Sequence, residues 1–192
     1  MKKMKIFHFF LIFRQNSTKF DKNTCYYMTH HVFHEILKGG GFYMLDSYEV
    51  NVSTLAIIAV NDKLSRIIEK DKEFFINKST ISIIDESCRY YGSTYEGRCD
   101  GTKSLLNYSY KLPIIIEESR SLIFFPTSSP KFNTCSWISL HNVDKIFRHE
   151  QGTRILFKNG YNLIVEYSYE IIENQLMRAT RLDCVLQDRK NR

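Results

Sequence analysis

The chain has 192 residues, 43% of them hydrophobic and 14% aromatic, which excludes a disordered tract and allows one domain with a substantial core or two small ones. Its five cysteines, an odd number without paired spacing, exclude a secreted disulfide framework and suit a reducing cytoplasm. The net charge of +6 is a poor guide to partners, because residues 1–43 hold seven Lys/Arg against two acids while residues 44–192 hold 20 against 19. Nucleic-acid binding by the larger part therefore needs a local basic patch, since bulk charge supplies almost no attraction.

Residues 1–43 do not resemble the rest. The opening MKKMKIFHFFLIF is basic, then apolar from Ile6 to Phe13, far short of the ~20 residues that span a bilayer. His8 interrupts the run, Arg14 ends it, and no small-x-small cleavage site follows, so neither a secretory signal nor a membrane anchor is expected. Lys38-Gly39-Gly40-Gly41-Phe42-Tyr43 stands immediately before Met44, and codons for Lys-Gly-Gly can spell a bacterial ribosome-binding sequence. The expectation is a true start at Met44, with residues 1–43 a non-native or disordered leader. An intact mass of the native protein that contains those residues would overturn it. Cys25, His30, His31 and His34 lie close together but lack two matched ligand couples, and no metal site is expected there.

From Met44 onward the pattern is one of short strands and a few helices. Tyr48-Glu49-Val50-Asn51-Val52 alternates, Leu55–Val60 is a continuous β-favouring run, and Asn61-Asp62 supplies a turn before Leu64–Glu69. Glu73–Ile76 adds a short strand. Ser79 is placed to cap a helix whose face carries Ile81, Ile84, Cys88 and Tyr91, and Gly92 stands where such a helix stops. A loop with Gly92, Gly97 and Gly101 follows, then a short helical stretch to Leu106. Pro113–Glu117 and Leu122–Phe125 read as buried strands around Glu118-Ser119-Arg120, and Pro126–Asn133 reads as a loop. Strands are expected at Trp137–Leu140, Val143–Arg148, Arg154–Phe157 and Asn162–Val165, with turns at Gln151-Gly152 and Asn159-Gly160. The last element, about Tyr169 to Leu186, carries Ile171, Ile172, Gln175, Leu176, Ala179, Leu182 and Leu186 on a helical stripe. The fold class is α+β: antiparallel hairpins with a few covering helices and a C-terminal helix.

The densest constellation is Ser87-Cys88-Arg89-Tyr90-Tyr91-Gly92-Ser93-Thr94-Tyr95-Glu96-Gly97-Arg98, which sets two arginines, three tyrosines and small hydroxyls at a helix-to-loop junction. Glycine permits close approach, and guanidinium binds phosphate or enters a narrow minor groove. The plainer reading is an exposed helix end, with Arg89 complementing the dipole and the tyrosines packing. Gly92 and Gly97 do not open a nucleotide-binding loop, because Arg98 and Cys99 replace its Lys and Ser/Thr. Cys88, Cys99, Cys135 and Cys184 form no CxxC pair and are expected as buried small hydrophobes rather than nucleophiles. Ser139, His141 and Asp144 lack the nucleophile elbow of a hydrolytic set. Trp137 is expected in the core. Arg178, Arg181, Arg189, Lys190 and Arg192 make the polar side of the last helix basic, which by default is a solvated face.

Ser87-Cys88-Arg89, Gly92-Ser93, Tyr95 and Gly97-Arg98 together resemble the signature block of the ComK family of competence regulators. Further blocks fall in that family's order: Ser47–Asn51, Ile67–Asp71, Phe125-Pro126-Thr127, Cys135-x-Trp137-Ile138-Ser139, Asn159-Gly160, Glu173-Asn174-Gln175 and Gln187-Asp188-Arg189. The resemblance covers essentially all of residues 44–192. It implies a cytoplasmic, sequence-specific transcription activator of DNA-uptake and recombination genes. Such a protein binds double-stranded AT-rich promoter boxes as dimers, largely through the minor groove, with RNA polymerase as a downstream partner. Relatives continue past the Gln-Asp-Arg block with a tail associated with activation and with capture by an adaptor–protease system, whereas this chain stops at Arg192.

The expected protein is thus a DNA-binding homo-oligomer without catalytic residues, cofactor, metal or membrane association. Arg89 and Arg98 are the expected DNA contacts, with Ser93 and Lys103 on phosphates. The alternatives are a truncated family member that dimerises or binds DNA but activates poorly, and a small thiol-dependent enzyme using Cys88 or Cys135.

Overall fold

The computed structural model describes residues 43–191. Residues 1–42 and Arg192, and with them the expected leader and its Cys25, His30, His31 and His34 cluster, lie outside the described residues. Among the described residues ten strands and three helices follow in the order β1 (Tyr43–Leu45), β2 (Thr54–Ala59), β3 (Ser65–Glu69), β4 (Glu73–Ile76), α1 (Thr80–Tyr90), α2 (Tyr95–Leu106), β5 (Ile114–Glu117), β6 (Leu122–Pro126), β7 (Trp137–Ser139), β8 (Val143–His149), β9 (Gly152–Phe157), β10 (Asn162–Val165) and α3 (Tyr169–Lys190). The class is α+β, as the patterning predicts. Seven strands form one sheet in the order β1-β4-β3-β2-β7-β6-β5, and β10-β9-β8 form a second. Every pairing is antiparallel except that of β1 with β4.

From β3 through β2, β7, β6 and β5 the large sheet is mostly buried on both faces, which explains why these strands read as continuous apolar runs rather than as alternation. Successive residues point to opposite faces. Ile67, Ile114, Ile116, Phe124 and Trp137 enter one cluster with Ile83, Ile84 and Cys88 of α1 and Cys99 of α2. Ile68, Ile115, Ile123, Phe125 and Ile138 enter the other with Ile155, Phe157, Leu163 and Val165 of the small sheet and Ile172, Ala179, Leu182 and Leu186 of α3. The helix pair α1–α2 therefore covers one face, and the small sheet with α3 covers the other. Helix α2 contacts β5, the edge strand, and sends Cys99 into the first cluster and Leu106 into the second. Exposed ladder groups there are thereby shielded. Gln175, the polar member of the α3 stripe, is buried but satisfied: its Nε2 donates to the carbonyls of Lys111 (3.1 Å) and Pro126 (2.8 Å).

Two sequence expectations are corrected. Tyr48–Val52 does alternate, with Tyr48 and Val50 buried, yet forms no strand, because side chains satisfy its backbone in place of a ladder. The Val50 N–H donates to Ser87 Oγ (3.1 Å), the Val50 carbonyl accepts from Tyr91 Oη (3.1 Å), and the Asn51 N–H donates to Thr54 Oγ1 (3.0 Å). Gly97 and Gly101, expected in a loop, lie inside α2. That helix starts early because Thr94 caps it, accepting from the Gly97 N–H at 3.0 Å. Other terminators behave as read: Ser79 caps α1, accepting from the Ser82 N–H, and Gly92 follows it with φ +77°.

Candidate nucleic-acid interface

The four expected contact residues sit on α1, α2 and the tight connection between them, and this region is fixed from within the chain. Asp85 of α1 holds the connection: its carboxylate accepts the Tyr95 N–H (2.9 Å) and Arg89 Nε (2.8 Å). The Tyr95 amide and then Arg89 hold the Asp85 carboxyl below the usual carboxylate range. The Ser93 N–H donates to the Cys88 carbonyl at 2.9 Å, turning the chain directly off α1 into α2. The hydroxyls of Ser93 and Thr94 crowd Gly97 so closely that a Cβ there would lie 3.4 and 3.3 Å from them. The close approach that Gly97 permits is thus to its own chain's hydroxyls.

Their electrostatic states differ. Arg89 is exposed in the last turn of α1 and paired with Asp85, while Lys103 is exposed and paired with Asp100 at 2.8 Å. Arg98, in the first turn of α2, is half-buried and forms no ion pair among the described residues, and its buried Nε has no hydrogen-bond partner. An orphaned buried N–H is costly, and of Arg89, Arg98 and Lys103 only Arg98 lacks an acidic partner. Arg98 also shows which effect wins at the neighbouring thiol: its positive charge favours the Cys88 thiolate, but burial outweighs it and pushes the thiol up to about 12.

Among the described residues, Cys88, Cys99 and Cys135 are buried as expected, whereas Cys184, also expected to be buried, is exposed on α3. Burial raises Cys99 and Cys135 as well, which keeps all three buried thiols protonated near neutrality. His141 faces Asp183 of α3 (3.6 Å), whereas Ser139 Oγ accepts from Asn142 Nδ2 (3.0 Å), so His141 is not turned to the serine as a base. Trp137 is fully buried, with the Tyr95 ring edge-on at 6.0 Å, and presents no face for a base to stack on. Among the described residues no group of three or more His, Cys, Asp or Glu is placed to hold a metal, and no helix is long and apolar enough to cross a membrane. On α3, Arg178 lies over the Tyr108 ring and donates to the Tyr110 carbonyl (3.1 Å), and Lys190 donates to the Glu118 carbonyl (2.7 Å). The basic side of α3 is in part a tether.

A second cationic feature escapes sequence reading altogether. Lys70, Arg120, Lys158 and His141 converge from four different turns on an open groove of about 470 Å³. Isolated single cations in turns carry no signal, and only the meeting of the two sheets' turns groups them.

These features define a compact α+β domain with a cation-bearing helical junction and a second basic groove. A family model described as "ComK protein" matches residues 45–191, and the chain belongs to that family. Over 149 residues it is 39% identical to the protein named "Competence transcription factor" from Bacillus subtilis (strain 168), a match covering 76% of this chain and 78% of the relative. No solved structure matches it.

Proposed function

We propose that this protein is a cytoplasmic, sequence-specific DNA-binding activator of competence genes, those for DNA uptake and recombination, and that it acts on AT-rich promoter boxes as a homo-oligomer ahead of RNA polymerase. The observation that carries the proposal is the match to the competence transcription factor along most of both chains. In this reading residues 44–192 are the DNA-binding unit. Arg98 and Arg89 enter the narrow minor groove of AT-rich DNA, where negative potential is concentrated, and Ser93 and Lys103 bind phosphates. The ion pairs of Arg89 and Lys103 are surface pairs, which are weak and exchange readily for phosphate. Arg98 has no acid to give up. In this reading Cys88 and Cys135 are core residues rather than nucleophiles, since burial keeps their thiols protonated.

The test is a gel-shift titration of the full chain on an AT-rich box duplex and a GC-rich control across a salt series. The expected result is preferential AT-rich binding that weakens with salt, with Arg98→Ala costing roughly tenfold or more on the AT-rich duplex. Cys88→Ser should leave most of the DNA affinity intact, whereas a thiol-dependent enzyme would lose its activity. Equal binding to both duplexes, or none, would reject the sequence-specific reading.

A further inference from the structure

The groove between the turns is built, not incidental. Lys70 lies in the β3–β4 turn, Arg120 and Ser121 in the β5–β6 turn, His141 and Asn142 between β7 and β8, and Lys158 and Asn159 in the β9–β10 turn. Hydrogen bonds tie these turns to one another across the two sheets. Asn159 Nδ2 donates to the Lys70 carbonyl (2.8 Å), the Lys158 N–H donates to the Asn142 carbonyl (2.9 Å), and Asn142 Nδ2 donates to the Thr54 carbonyl (3.1 Å). The β5–β6 turn is held from the far side by α3, through Gln187 Nε2 to Ser121 Oγ (3.3 Å) and Lys190 Nζ to the Glu118 carbonyl.

The turns are bonded to one another, but three of the groove's cations are unpaired. Lys70, Arg120 and Lys158 are exposed, and none takes part in an ion pair or a side-chain hydrogen bond among the described residues. Arg66, Lys72, Lys78, Arg89, Lys103 and Arg148 are paired, and the other described cations without an ion pair, Arg98 among them, do not line the groove. No Asp or Glu lines the groove. Asp183 is engaged with His141, and Glu117 with the N–H groups of Ser119 and Arg120. In a stretch with 20 basic and 19 acidic side chains, three unpaired cations around one groove form a local positive field, which draws in and holds phosphate. The groove also adjoins the helical junction. Tyr91, at the end of α1, bonds the Val50 carbonyl (3.1 Å), and Val52, two residues on, lines the groove.

We propose that this groove is a second DNA contact, in which Lys70, Arg120 and Lys158 bind backbone phosphodiesters of the same duplex whose minor groove the α1–α2 junction reads. The proposal rests on the DNA-binding reading above and assigns the groove a different share of the work. The junction selects sequence, and the groove supplies sequence-independent affinity and orientation.

The experiment compares the full wild-type chain with Lys70→Gln/Arg120→Gln/Lys158→Gln on AT-rich and GC-rich duplexes over a salt series. Circular dichroism verifies that both are folded. The expected result is a loss by similar factors on both duplexes, so that the AT-rich preference survives. The log–log salt slope should become shallower by about three, close to one unit per phosphate contact. Lys70→Arg and Lys158→Arg, which keep the charge, should retain the wild-type slope. An unchanged slope in the triple variant would overturn the proposal. So would saturable calorimetric binding of adenosine triphosphate that the triple variant loses while its DNA slope stays constant, which would make the groove a small-anion site. Wild-type protein that binds neither duplex would instead reject the DNA-binding reading itself.

Discussion

Gly152→Ala is expected to destabilise the fold by about 3 kcal/mol or more, combining backbone strain with overpacking. Gly152 opens β9 opposite His149, and it takes φ +132°, while neither Glu150 nor Gln151 in the turn has positive φ. A Cβ at this position would stand 2.2 Å from the Val165 carbonyl oxygen, 3.0 Å from the Tyr167 nitrogen and 3.1 Å from the Glu166 Cα. All three are backbone atoms, so no side chain can swing away. They belong to the end of β10 and the segment entering α3, where Thr153 Oγ1 also donates to the Tyr167 carbonyl at 2.7 Å. Relief would require the small sheet and the start of α3 to separate. Urea denaturation followed by circular dichroism gives the measurement, and a midpoint within error of wild type would show that the hairpin does not close in this way. Gly101 provides the contrast. It lies within α2 without positive φ, and nothing stands within 4 Å of an added Cβ, so Gly101→Ala should stabilise by about 0.5–1 kcal/mol.

Phe124→Ala should cost about 3–5 kcal/mol, the usual loss for a phenylalanine deleted from a close-packed core. Typical domains are stable by only about 5–15 kcal/mol, so this single change removes a large share. Phe124 is fully buried on β6, in the cluster that Ile83, Ile84 and Cys88 of α1 and Cys99 of α2 close from above. The chain's one tryptophan, Trp137, belongs to the same cluster, so its fluorescence reports on this core directly. A lowered urea midpoint with the slope preserved is the expected outcome, and an unshifted midpoint would contradict the burial of Phe124. Because α1 and α2 rest on this cluster, DNA affinity should fall only as the folded fraction falls. Affinity lost at full folding would mean that the core also sets the geometry of Arg89 and Arg98.

The strand and helix positions were legible because local chemistry decides them. The Ser79 cap, Gly92, the Asn159-Gly160 turn with Gly160 at φ +85°, and the apolar stripe of α3 each act within a few residues of themselves. The same locality explains the misreadings. Tyr48–Val52 has the alternation of a strand, but its partners Ser87 and Tyr91 lie 37 and 41 positions away. Gly97 and Gly101 look like loop residues until Thr94 is seen capping the helix that contains them.

By itself the sequence determined the α+β class, most of the element boundaries, the burial of Trp137 and three of the described cysteines, and the family, whose blocks are spaced along the whole region. Only the tertiary structure decided the strand order, the paired state of Arg89 and Lys103 against the unpaired Arg98, and the groove. Periodicity records which way a side chain faces relative to its neighbours in the chain, and that is enough to build elements. Which charges meet depends on turns brought together from afar, as with Asn159 and Lys70, 89 positions apart, where packing of the two sheets alone places them side by side.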